Sequence, residues 1–75
     1  MQRIIDGLLY DTKQSEILYI EEGKNRILYM TTNRNFFMVY PTGEFVIKTE
    51  QSVKDYLGKY DVDKYIEVFG EPGEA

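Results

Sequence analysis

The sequence contains no histidine, no cysteine and no tryptophan. Histidine and cysteine are the side chains most often used for catalysis and metal binding near neutral pH. Their absence argues against an enzyme and against a bound metal or other cofactor. It also rules out a disulfide, which is consistent with a reducing compartment. We therefore expect a cytoplasmic protein that works by binding a partner.

Long apolar runs are missing as well. The longest uninterrupted run, Phe36 to Tyr40, is too short to cross a bilayer. The first residues, Met1 to Ile4, lack the apolar stretch of a secretory signal. The glycines are too scattered for a dinucleotide-binding or P-loop motif. These absences favour a protein that neither enters a membrane nor holds a nucleotide.

Aromatic residues are what the sequence has in quantity, with seven tyrosines and four phenylalanines among 75 residues. A chain of this length makes one domain, and such a small domain buries only about 60% of the surface of its unfolded chain. Aromatic and β-branched side chains must therefore supply the core. We expect a single domain over residues 1–70, followed by a flexible tail over residues 71–75.

The net charge of −4 is concentrated in the last third of the chain. Residues 1–48 hold six acidic and six basic side chains, whereas residues 49–75 hold seven acidic and three basic ones. A net negative chain is not attracted to phosphate backbones, so nucleic acid is not the expected partner. The acidic excess is either an ordinary solvated helix surface or a face offered to a basic partner. On the second interpretation the partner-binding acids are Asp55, Asp63 and Glu67.

The first two-thirds of the sequence predict strands. Residues 3–10 are apolar around Asp6-Gly7, which indicates either a tight hairpin turn or a bulged single strand. Residues 16–20, 26–32, 36–40 and 44–48 are rich in strand-forming residues. The loop of residues 41–43 is typical of a three-residue hairpin. This pattern predicts an antiparallel meander of three to five strands.

After Lys48 the apolar spacing changes to that of helices. Two stripes at helical spacing follow one another, nine residues apart, and would lie on opposite sides of one straight helix. A break near Gly58 and Asp61 resolves this, with Thr49 and Asp61 as N-caps. The sequence thus predicts two short helices, 50–59 and 62–69. The fold class is α+β, with both helices packed on one face of the sheet.

The hairpin loop also predicts which sheet face the helices cover. It places four purely apolar residues on one face, and this face is expected to meet the helices: Phe37, Val39, Phe45 and Ile47. The opposite face is mixed, and we expect Phe36, Met38 and Tyr40 on it to be exposed and to contact a partner. The alternative is that the N-terminal strands fold across this mixed face. The register of residues 27–31 stays open.

Several segments together resemble a known family. They are the N-terminal Asp6-Gly7-x-Leu9-Tyr10-Asp11-Thr12, the aromatic segment Asn35-Phe36-Phe37 before Tyr40 and a glycine turn, and the ending from Thr49-Glu50 to Phe69-Gly70. The sequence resembles a family of small, mostly uncharacterised bacterial proteins carried on phages and other mobile elements. The resemblance implies no catalytic residues. It implies a protein that binds and blocks a host protein, such as a nuclease or defence complex.

We therefore predict a non-enzymatic protein-binding accessory module, with an inhibitor of a host nuclease or defence complex as its narrower form. Two alternatives remain. One is a sheet that stacks single-stranded nucleic acid on Tyr29 and Phe36 beside Arg26 and Arg34. The other is a structural homodimer joined through the free sheet face.

Overall fold

The N-terminal segment is a two-stranded hairpin. A computed structural model describes all 75 residues, and in it β1 (Gln2–Ile5) pairs antiparallel with β2 (Leu8–Asp11). Asp6 and Gly7 join them with φ values of 53° and 77°. Positive φ at both central positions is the requirement of a type I′ turn, which glycine meets without strain. The hairpin interpretation of Asp6-Gly7 is confirmed, and the bulged single strand is wrong.

A second, larger sheet follows the hairpin. Its four antiparallel strands are β3 (Glu16–Glu21), β4 (Arg26–Met30), β5 (Phe36–Val39) and β6 (Phe45–Lys48), side by side in chain order. Short 3₁₀ turns precede β3 and β4. β4 pairs Met30 with Phe36 and Ile27 with Val39, which fixes the register that the sequence left open. The α+β class with an antiparallel meander is confirmed.

Two helices complete the chain, α1 (Glu50–Tyr60) and α2 (Val62–Phe69). The Thr49 side chain accepts a hydrogen bond from the Ser52 backbone N–H at 3.1 Å. Asp61 does the same for Lys64, also at 3.1 Å. These are the caps that satisfy otherwise unpaired N–H groups at a helix start. Both predicted helices are confirmed, with α1 ending one residue later than expected.

The helices cover the sheet face that we expected to be exposed. Leu28, Phe36 and Met38 pack with Val53 and Leu57 of α1, and all five side chains are buried. The predicted assignment of the faces is therefore wrong. Glu44 and Lys48 give this face its mixed character in the sequence. Glu44 immediately precedes β6, an edge strand, and Lys48 ends it, and at such positions a polar side chain reaches water even on a covered face.

The N-terminal hairpin covers the opposite face. Tyr10 packs edge-on against Phe37, with ring centroids 5.3 Å apart, and Tyr29 stacks on the same ring at 5.1 Å. The Arg3 guanidinium lies over the Phe45 ring at 5.2 Å. Hence the alternative that the N-terminal strands cover Phe36 and Met38 is also wrong. The molecule has three layers, with the four-stranded sheet between the helices and the hairpin.

The remaining residues add no further element. Residues 71–75 are exposed and carry neither helix nor strand. Neither α1 nor α2 has the length and apolar character needed to cross a membrane.

Candidate protein-binding surface

The predicted aromatic docking face is part of the core. Phe36 and Met38 are only 3% and 4% exposed, so neither can contact a partner in this fold. Tyr40 is half-buried, and the Arg26 guanidinium lies 5.2 Å from its ring centroid. Arg26 Nη1 also donates to the Tyr40 hydroxyl at 3.4 Å. The expectation that these three side chains form an exposed patch is wrong.

The three predicted acids are exposed but differ in their surroundings. Asp55 accepts a hydrogen bond from Gln51 at 2.9 Å. Glu67 lies 3.0 Å from Lys64 Nζ, and this contact raises the pKa of Lys64. Asp63 has no ion pair or side-chain hydrogen bond within the chain. The negative charge of Glu67 is thus offset locally, which leaves Asp55 and Asp63 as the freer two of these three carboxylates.

The four residues of the nucleic-acid alternative do not form a stacking surface. The rings of Tyr29 and Phe36 are buried, so bases cannot reach their faces. Arg26 is bound to Glu21. Arg34 Nη2 donates to the Val68 carbonyl at 3.0 Å, and its guanidinium lies over Phe69. Both cations therefore serve internal contacts.

A partly buried polar cluster links the sheet to α1. The Glu21 carboxylate accepts hydrogen bonds from the Tyr56 hydroxyl and from Arg26, including one from Arg26 Nε at 2.9 Å. These bonds lower the pKa of Glu21, the largest effect being that of Tyr56. Burial, followed by the bond to Glu21, raises the pKa of Tyr56. A carboxylate held ionised by two donors is a weak general base, so this cluster stabilises the fold and does not resemble a catalytic pair.

Three of the large apolar residues that are exposed lie on the N-terminal hairpin. Ile4 is 75% exposed, Leu9 54% and Leu8 50%. Ile4 and Leu9 are direct cross-strand partners, so their side chains share one face of the hairpin. Arg3 and Tyr10, also partners, lie on the other face and pack on the sheet. Ile4 and Leu9 are called the hairpin patch below, since Leu8, the partner of Ile5, lies on the face of Arg3 and Tyr10.

Polar contacts hold the open end of the hairpin in place. Gln2 Nε2 donates to the buried Asp11 carboxylate at 3.1 Å, and the Lys13 backbone N–H donates to it at 3.0 Å. These two bonds lower the pKa of Asp11, with the Gln2 bond the larger effect. The Thr12 backbone N–H donates to the Met1 carbonyl at 3.0 Å and extends the ladder. The patch is therefore presented on an ordered element.

The sequence carries a signal for the hairpin patch in its Asp6-Gly7 turn. Counting outward from this turn pairs Ile5 with Leu8 and then Ile4 with Leu9. Because a two-residue turn fixes the register, this count places Ile4 and Leu9 on one face. The count applies only to a hairpin, and a bulged single strand was the other interpretation of residues 3–10. The patch was therefore absent from the predicted site residues.

No known protein family, curated protein or solved structure matches this chain. The structure has no group of three or more acidic side chains placed to hold a metal ion. The function must therefore be argued from the surface of the molecule itself.

Proposed function

We propose that this chain is a non-enzymatic module that binds another protein through the hairpin patch. The observation that carries the proposal is the exposure of Ile4 and Leu9 side by side on the outer face of one ordered hairpin. Contiguous exposed apolar side chains on a small protein mark interaction sites, because leaving them in water is unfavourable.

The chemistry of the hairpin patch indicates the kind of partner. Branched aliphatic side chains suit an apolar groove on the partner. Asp6 at the turn and Arg3 on the opposite face supply charges at the rim, where they steer association more than they add affinity. The narrower proposal, a mobile-element inhibitor of a host nuclease or defence complex, is supported by the sequence resemblance alone.

The test is quantitative capture with matched variants. The chain carries an affinity tag after Ala75, away from the hairpin in the sequence, and is incubated with a lysate of its source cells. The double variant Ile4→Asp/Leu9→Asp places charges in the hairpin patch. The control Val62→Asp changes a similarly exposed apolar residue at the start of α2, where an acid is tolerated. Circular dichroism verifies that both variants fold.

We expect one protein to be held by the wild type and by Val62→Asp and to be lost with Ile4→Asp/Leu9→Asp. Titration of that purified protein by calorimetry should then give at least about a hundredfold weaker binding for the double variant, as expected when central apolar contacts are replaced by charges. Equal capture by both variants, or no specific capture by the wild type, would contradict the proposal.

A further inference from the structure

The outer edge of β6 has unpaired backbone groups. Tyr40 N–H donates to the Glu44 carbonyl at 3.0 Å, which fixes the alternation of hydrogen bonds between β5 and β6. Val46 and Lys48 then bond inward to β5. The N–H and C=O groups of Phe45 and Ile47 point outward, and nothing in the molecule pairs with them. Four backbone groups are thus available to another strand.

The other edge of the same sheet is protected. β3 carries a β-bulge at Leu18 and is bounded at both ends by 3₁₀ turns, features that hinder strand addition. It also carries Glu16 near one end and Glu21 at the other. Antiparallel pairing of two β3 strands would therefore bring acids together. β6 has no bulge, and it lies between opposite charges, because Glu44 immediately precedes it and Lys48 is its last residue.

We propose that β6 pairs antiparallel with β6 of a second copy of this chain, about a two-fold axis at Val46. This register places Phe45 opposite Ile47 of the other copy, and their outward groups make four backbone hydrogen bonds. It also places Glu44 opposite Lys48 at both ends. Directly opposite residues of unlike charge stabilise a strand pair.

The side chains on both faces fit the same register. On the hairpin side, Ile47 is 44% exposed and Phe45 is half-buried, so each covers its counterpart across the axis. On the helix side, the two half-buried Val46 side chains meet. The pairing is self-complementary, as a two-fold interface requires.

The contact is small because only one short strand from each copy takes part. An interface well below about 1,200 Å² in total gives weak, reversible association. The dimer would have one continuous eight-stranded sheet and two hairpin patches, so a protein partner with two sites would be held more tightly through bivalency. The dimer does not depend on the hairpin patch, and the two proposals can fail separately.

The decisive experiment uses charge reversal at the two ends of β6. Sedimentation velocity is run on the full chain from about 10 μM to about 1 mM, the range in which weak dimers form. Glu44→Lys and Lys48→Glu each place like charges opposite one another in a homodimer. Each variant alone should dissociate about tenfold or more readily than the wild type. An equimolar mixture restores unlike charges at both ends and should recover the wild-type dimer.

Two controls keep the outcome unambiguous. Glu71→Lys changes the net charge as Glu44→Lys does, but outside the sheet, and should leave the dimer unchanged. In the wild type, exchange of the Phe45 and Ile47 amide protons should slow as concentration rises, whereas those of Val46 and Lys48 are already bonded in the monomer. A wild type that stays monomeric at about 1 mM, or a mixture that does not recover the dimer, would overturn the proposal.

Discussion

At the residue scale, the Glu21 carboxylate is the point where the sheet and α1 are joined by polar contacts. It accepts hydrogen bonds from Arg26 of β4 and from Tyr56 of α1. Every buried side-chain polar atom in the structure has a hydrogen-bond partner. Removal of one donor would therefore leave the Glu21 carboxylate with one hydrogen bond fewer than it has in the fold. The loss of stability should be limited to that one hydrogen bond when Tyr56 is the donor removed, because Arg26 still neutralises the Glu21 carboxylate.

We expect Tyr56→Phe to lower the free energy of unfolding by about 1 to 2 kcal/mol at pH 7, since it removes a hydrogen bond to a charged acceptor. Tyr56 lowers the pKa of Glu21 below its ordinary value of 4.5. A lowered folded-state pKa gives stability above pH 4.5 that is lost as the pH falls through the folded-state value. The difference between variant and wild type should therefore shrink toward pH 3.

Urea unfolding at several pH values measures this effect. The matched control is Tyr60→Phe on the same helix, because Tyr60 is exposed and its hydroxyl makes no hydrogen bond within the chain. That control should stay within about 0.5 kcal/mol of the wild type. A Tyr56→Phe deficit that is constant from pH 7 to pH 3 would show that the loss does not act through Glu21.

At the element scale, the sequence predicts the helices and strands but not which sheet face each of them covers. Thr49, Asp61 and the apolar stripes identified both helices, since caps and periodicity are local signals. The face that the helices cover depends on contacts with Leu28 and Leu18, which are distant in sequence. The central strands β4 and β5 are apolar on both faces, a pattern typical of strands covered on both sides. Alternation within β5 and β6 alone could not decide between the two faces.

The candidate site was missed for the same reason. With only one face of the sheet covered, Phe36 and Met38 are expected on the exposed face. The N-terminal hairpin that covers the second face is only one of two interpretations of residues 3–10. The hairpin covers Phe37 and leaves Ile4 and Leu9 exposed on its own outer face. The Asp6-Gly7 turn forms the hairpin, and the contact of Tyr10 with Phe37 decides which hairpin face stays exposed.

The type I′ turn gives a direct test of the hairpin. Gly7→Ala keeps open space around the new methyl group but forces φ = 77° on a residue with a Cβ. We expect a loss of about 1 kcal/mol in the free energy of unfolding, together with faster amide exchange in β1 and β2. Gly23→Ala is the control, because that position also has open space and does not need a positive φ, and it should be nearly neutral. Equal effects of the two substitutions would argue against the turn.

At the scale of the whole molecule, the buried apolar side chains form two clusters separated by the sheet. One contains Val53 and Leu57 of α1, and the other contains Tyr10, Tyr29 and Phe37. Neither layer has a large core, and no disulfide links them. A domain of this size depends on both layers for its stability. The question is whether the hairpin layer unfolds together with the helix layer or before it.

Substitutions on opposite sides of the sheet answer this question. Val53→Ala removes two buried methyl groups and should cost about 2 kcal/mol, and Tyr10→Leu should cost about 1 to 2 kcal/mol. The two side chains share no contact, so in one cooperative unit their effects on the free energy of unfolding add within about 0.5 kcal/mol. If the hairpin opens first, Tyr10→Leu instead speeds amide exchange in β1 and β2 and leaves the global transition near that of the wild type. We expect additivity, because Phe37 lies in a central strand and contacts the hairpin through Tyr10.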